Sequence, residues 1–197
     1  MMNISFYKLA AAMLLSAYAN LAYAEPNANA LGQNLYLTIG GYGCAACHGK
    51  YANGAGNVGG NIRGASLEQL NQALENEPTM KLLGDAFAPG QREQVIQYLA
   101  SLGAMPLVEW NIGDDTNIKF QQLIPQQLSQ LVVKNDTLAA VAVDLSPLAI
   151  KQTLDIEPLD TQAVQFVAPA SLVNLQVEEQ VLQLTVNEYE NNDENTK

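Results

Sequence analysis

Cys44-Ala45-Ala46-Cys47-His48-Gly49 is the stretch on which the reading of this chain turns, because it holds the only two cysteines and the only histidine among 197 residues. Two thiols at this spacing, followed at once by a histidine, form the attachment signal for a covalently bound haem c. The chemistry explains the spacing. Both thiols add across the two vinyl groups of one haem, and the next side chain in line lies beneath the iron. Cys44 and Cys47 are therefore expected to carry one haem c per chain, and His48 to be its proximal iron ligand.

Three other readings of the same residues each lack something. A structural zinc site needs about four protein ligands, and the chain has no further cysteine or histidine to supply them. A thioredoxin-like dithiol would sit near a βαβ pattern, and no strand pattern precedes Cys44. A plain Cys44–Cys47 disulfide suits an oxidising compartment but leaves His48 and the glycine-rich run Gly54 to Gly60 without a role. That run is not a phosphate loop either, since it lacks the preceding strand and the lysine.

With His48 used, the second axial position falls to a methionine, a lysine, a weaker group or nothing. Met1, Met2 and Met13 belong to the N-terminal leader, which leaves Met80 and Met105. Met80 stands in Pro78-Thr79-Met80, a segment without helical periodicity. A helix read as opening at Pro89 follows, with Val95, Ile96, Leu99 and Leu102 forming an apolar stripe at helical spacing. A thioether just ahead of a packed helix can be presented to the open face of a haem, so Met80 is the expected distal ligand. Met105, beside Pro106 at a domain junction, is the alternative. Met/His ligation raises the reduction potential of a haem.

Taken together, these residues resemble the class I cytochrome c family of small bacterial monohaem carriers, over roughly Leu31 to Leu102. The elements come in order: Gly32, Leu35 and Tyr36 as a first helix, then the CAACHG motif, a glycine-rich loop, a helix from Ser66 to Leu74, Met80, and a last helix ending Tyr98-Leu99-Ala100-Ser101-Leu102. The resemblance implies an all-α haem domain whose first and last helices cross closely, with Gly32 and Tyr36 against Tyr98 and Leu99. Ser66 reads as an N-cap, with Gln69 completing a capping box. Arg63 is a candidate contact for a haem propionate, with a solvent-exposed loop arginine as the alternative. The chain departs from the family at two points. The loop after the motif reads Gly56-Asn57-Val58-Gly59-Gly60-Asn61, without the proline whose carbonyl usually accepts from the proximal histidine, so the partner of His48 stays open. Leu37 to Gly43 is also longer than the usual link into the motif.

From Thr116 the pattern changes to short runs: Asn117 to Leu123, Leu128 to Val133, Leu138 to Leu145, Ile150 to Ile156, Ala163 to Val167, Leu172 to Val177 and Val181 to Val186. Their alternation and regular spacing predict an all-β sandwich, cupredoxin-like or immunoglobulin-like. A blue-copper centre needs two histidines and a cysteine with a weak axial ligand. Residues 106 to 197 contain no His, Cys or Met, so no metal site is expected in this half.

The ends complete the division. Lys8, the apolar run Leu9 to Leu21 and the Ala22-Tyr23-Ala24 site read as a signal peptide over residues 1–24. A haem domain is expected over 25–104, a linker over 105–115, the β domain over 116–187 and a disordered acidic tail over 188–197. The net charge is −11, and the acidity is one-sided: 14 acids and 4 bases follow Ala104, against 6 and 4 between Glu25 and Ala104. That field argues against nucleic acid and anionic membrane surfaces and suits solubility or a basic partner. No nucleophile-base set stands out. The expectation is an exported, periplasmic electron-transfer protein rather than an enzyme, with no membrane span after leader cleavage. Its donor and acceptor would be exported redox proteins with a basic docking face, and its acidic β domain would serve docking or assembly. The alternatives are a haem-based sensor or ligand binder, and a cytochrome subunit of a larger exported oxidoreductase.

Overall fold

The computed structural model describes residues 28–114 and 117–186. The expected leader (1–24) and acidic tail (188–197) lie outside the described residues. A helical region comes first, and a β-sandwich follows it.

Helix α1 (Ala28–Thr38) runs against α5 (Gln91–Gly103) at a distance that only glycine allows. A Cβ on Gly32 would collide with the Gln94 carbonyl and come within 2.8 Å of Tyr98 Cβ. One turn on, the Tyr36 and Tyr98 rings meet at 5.5 Å with their planes tilted by 53°, a favourable arrangement for two quadrupoles. Tyr36, Val95, Tyr98, Leu99 and Leu102 are all buried in the core of this region. The close crossing anticipated at Gly32, Tyr36 and Tyr98 is thus present. The long link after α1 is taken up by a 3-10 turn, Ile39–Gly41, in which Gly40 has φ 63°.

Between these helices lie α2 (Ala45–His48), α3 (Leu67–Asn76) and α4 (Pro78–Lys81). Helix α3 starts where the capping box requires. Ser66 Oγ accepts from Gln69 N–H at 3.2 Å, and Gln69 Oε1 accepts from Ser66 N–H at 2.8 Å. The expected irregular segment at Met80 is instead one helical turn, with Pro78 at its first position. Pro89 does not open the last helix: the N-cap of α5 is Gly90, in the left-handed region, and the helix begins at Gln91. Proline is favoured at a first helical position because its missing N–H has no helical partner there. Pro78 takes that place here.

Among the described residues the β region has eight strands: β1 (Leu107–Ile112), β2 (Ile118–Leu123), β3 (Leu128–Asn135), β4 (Val141–Asp144), β5 (Thr153–Ile156), β6 (Thr161–Val167), β7 (Val173–Val177) and β8 (Gln180–Val186). Strand β1 corrects the expected linker over 105–115. Val108, Trp110 and Ile112 alternate into the core, and a strand that buries every second residue is no tether. Two three-stranded sheets, β1-β3-β6 and β2-β8-β7, form with the β4-β5 pair. Strands β1 and β3 pair in parallel, as do β2 and β8. The apolar faces of Leu131, Val133, Phe166, Leu175, Leu182 and Leu184 share one core with Trp110.

The opposite face of the β1-β3-β6 sheet is covered by the helical region, which is why Gln130 is buried on β3 along with Leu131 and Val133. Four links cross this junction. Lys50 Nζ donates to Thr161 O at 2.9 Å and pairs with Asp160 at 3.5 Å. Tyr51 accepts from the Ala163 backbone. Asn53 Nδ2 donates to Glu109 Oε1 at 2.6 Å, and Arg63 Nη1 donates to Gln130 Oε1 at 2.5 Å.

Candidate functional site

The Cys44–His48 segment is a single helical turn, so its side chains fan to one side of a short coil. His48 N–H returns to Cys44 O at 2.9 Å. The turn stops at Gly49, whose φ of 84° is open to glycine and costly to other residues. The Gly49 carbonyl accepts from the Tyr36 hydroxyl at 2.6 Å, joining the motif to the crossing of α1 and α5. Both cysteines are unpaired thiols. Burial pushes the Cys44 thiol up to about 11, so it stays protonated at neutral pH. A reactive dithiol of the thioredoxin kind works through a depressed thiol pKa, and Cys44 is shifted the other way.

The loop after the motif folds back beneath the histidine. Gly54 N–H donates to His48 O at 2.9 Å and Gly59 N–H to Cys47 O at 2.7 Å. A Cβ on Gly59 would lie 2.7 Å from His48 Cε1, and one on Gly56 would collide with the Cys47 carbonyl. The glycines are there because backbone must lie directly against the motif. Their close approach supplies the partner that the sequence left open. His48 Nδ1 is 2.9 Å from Gly60 O. A carbonyl can only accept, so Nδ1 carries the proton and Nε2 keeps its lone pair for a metal. The acceptor is the backbone carbonyl of Gly60, in a loop built of glycine.

Met80 stands across the same space. One cavity of ≈ 200 Å³ is lined by Cys44, Cys47, His48, Val58, Met80 and Leu83, among others. A second, of ≈ 270 Å³, is lined by His48, Ile62, Leu70, Met80 and Leu99, among others. His48 and Met80 line both. Beyond the turn bearing Met80, Arg92 donates to Asn71 Oδ1 at 2.8 Å and to Gly84 O at 3.1 Å, with its guanidinium 5.7 Å from the Phe87 ring centre. Met105, the alternative methionine, is buried with Leu102 and lines neither cavity.

Arg63 is placed differently from expectation. Its guanidinium donates to Leu102 O at 2.6 Å, to Met105 O at 3.1 Å and to Gln130 at the sheet. These bonds hold the end of α5 to the β region, and Arg63 lines neither cavity. The candidate propionate contact is therefore replaced by a structural one. A half-buried guanidinium between two helix-terminal carbonyls is well satisfied, and a loop position in the sequence could not reveal that those carbonyls were near.

The donor set suits a haem. Two thiols, an imidazole with Nε2 free and a thioether line one cavity, and the remaining lining is mostly apolar. Among the described residues no group of three or more His, Cys, Asp or Glu side chains is placed to hold a metal ion. An iron between one histidine and one methionine asks for no such group. No helix among the described residues is long and apolar enough to cross a membrane.

No protein-family model matches the chain, and no curated protein matches it. Solved structures similar to part of it include auracyanin A, a blue copper protein from Chloroflexus aurantiacus, at 13% identity and TM-score 0.31, over 41% of this chain and 98% of that one. The reduced auracyanin of Roseiflexus castenholzii is similar at 14% identity and TM-score 0.34, over 44% and 100%. The metal-binding domain of the Cu(I)-exporting CopA of Streptococcus pneumoniae follows at 11% and 0.30, over 41% and 97%.

Proposed function

We propose that the chain is an exported one-electron carrier that holds one haem c. Cys44 and Cys47 would bear the thioether links, His48 Nε2 would be the proximal ligand and the Met80 thioether the distal one. The observation that carries this reading is that all four side chains line one largely apolar cavity, His48 with its Nδ1 proton already committed to Gly60 O. When bound, the haem supplies a one-electron ferric/ferrous couple. The chain's own residues do the rest. Gly60 O fixes the imidazole tautomer. Leu70, Leu83 and Leu99 exclude water, and Arg92 ties Gly84, just past the Met80 turn, to Asn71 on α3. With no His, Cys or Met after residue 105, the β region adds no metal ligand of these kinds, and its acidity suits docking to a basic exported redox partner.

Optical spectra of the purified chain, oxidised, reduced and reduced under carbon monoxide, with a pyridine haemochrome assay, test the proposal. The expected result is a c-type haemochrome, a Met-to-iron charge-transfer band in the oxidised form, and no change on adding carbon monoxide. In Met80→Ala the band is lost and carbon monoxide binds. Ready carbon monoxide binding by the unsubstituted chain would point to a ligand-binding sensor instead, and absence of haem would overturn the reading.

A further inference from the structure

The carbonyl that receives the His48 Nδ1 proton belongs to a loop that the β-sandwich holds. That loop runs from Lys50 to Arg63, and its two limbs are stitched together by an antiparallel bridge between Asn53 and Asn61 and by Ile62 N–H to Ala52 O at 3.0 Å. Glu109 on β1 accepts from Asn53 on one limb. Gln130, on the adjacent strand β3, accepts from Arg63 on the other. Arg63 N–H in turn caps Asn61 Oδ1 at 2.9 Å, and Gly60 is the next residue. The path from the sheet to the histidine is therefore short: Glu109 bonds Asn53, Asn53 stands opposite Asn61 in the bridge, and Gly60, covalently next to Asn61, places its O on His48 Nδ1.

We propose that Glu109 and Gln130, on the outer face of the β1-β3-β6 sheet, are positioning residues for the proximal histidine, fixing the Gly60 carbonyl against His48 Nδ1 through their grip on Asn53 and Arg63. The inference rests on the haem-carrier reading and gives the β region a task within it. A firmly held acceptor draws on the Nδ1 proton and makes the imidazole a stronger donor through Nε2. A stronger donor favours ferric iron, so a loosened acceptor raises the reduction potential. The four crossing bonds then do more than glue two regions together: they let the sandwich tune the iron.

The test compares the haem-loaded full chain with Glu109→Ala, Glu109→Gln and Gln180→Ala. Glutamine at 109 keeps an oxygen for Asn53. Gln180 bonds Gly113 N–H and Asp114 O in the β region, away from the junction, and controls for general loss of stability. Glu109→Ala is expected to speed solvent exchange of the His48 Nδ1 proton, read by NMR, about tenfold and to raise the midpoint potential. Glu109→Gln restores the exchange rate of the unsubstituted chain, and Gln180→Ala leaves it unchanged. Unaltered exchange in Glu109→Ala, or equal acceleration in Gln180→Ala, overturns the proposal. Failure of the haem reading shows separately, as a chain without a haemochrome. The clamp is then read from exchange of the Gly54 and Gly59 amides, whose bonds to His48 O and Cys47 O depend on the same loop: acceleration in Glu109→Ala alone upholds the grip, and no change overturns it.

Discussion

The helical and β regions solve opposite packing problems. The β region closes on itself: Trp110, Leu131, Leu145, Ile156, Leu175, Leu182 and Leu184 are each at most 2% exposed and share one core. In the helical region the buried residues gather at the crossing of α1 and α5, while the space between His48 and Met80 is bounded by side chains that face it from two sides. A domain that fills its own interior gains cohesion from apolar contact alone. One that leaves a lined gap depends on whatever occupies it. The difference teaches that stability and chemistry are divided along the chain, the second half holding the first in place and the first carrying every soft ligand.

That division can be broken by experiment. Leu182→Ala, at a side chain with no exposure on β8, should cost the β transition about 2–5 kcal/mol while leaving the visible spectrum of the proposed haem unchanged. Calorimetry and visible absorption check both parts together, and a spectrum altered along with stability would abolish the distinction.

Alkaline titration sharpens it. Burial pushes the Tyr36 phenol well above its usual range and raises that of Tyr98. Burial, helped by Asp160 and Tyr98, pushes Tyr51 up to about 12. Below about pH 10 these phenols are neutral in both folded and unfolded chains, so pH has no leverage. Above that the unfolded chain ionises first, and the stability contributed by the neutral, buried phenols is lost as pH rises through about 10 to 12. No tyrosine lies between residues 107 and 186. The helical signal should therefore fail before the fluorescence of Trp110, the single tryptophan, changes. Simultaneous loss would mean that the regions unfold as one.

The smallest effect is expected at a helix end. Ser66→Ala removes one half of the α3 capping box and should cost about 1 kcal/mol, measured by denaturant titration followed at the helical band. A cost well above that would show that the cap also braces Leu70 and Leu74 at the cavity wall.

Much of this architecture was legible because it is written in local spacing. The Ser66 and Gln69 capping box and the seven runs of alternating residues depend on neighbours a few positions apart, and the structure holds the box and a strand at each run, β4 and β5 being shorter than expected at Val141–Asp144 and Thr153–Ile156. Strand β1 escaped notice although Val108, Trp110 and Ile112 alternate correctly, because its six residues sit directly after a helix and end at Gly113-Asp114, where turn residues suggested a connector. Pro78 and Pro89 were exchanged in role, since either proline satisfies a first helical turn and only packing selects one.

Sequence alone, then, determined which atoms were available for chemistry: two thiols, one imidazole and, past the expected leader, two thioethers. Tertiary structure decided what those atoms face. It brought Met80 rather than Met105 to the cavity of His48, turned Arg63 from that cavity to the carbonyls of Leu102 and Met105, paired β1 with β3 and β2 with β8 in parallel, and set Gly60 O beneath His48 Nδ1. The physical reason is common to all four. Each depends on backbone groups distant in sequence meeting at hydrogen-bond or van der Waals range, and the carbonyls and amides that settle such meetings are the same for every residue type, so they leave no mark in the order of side chains.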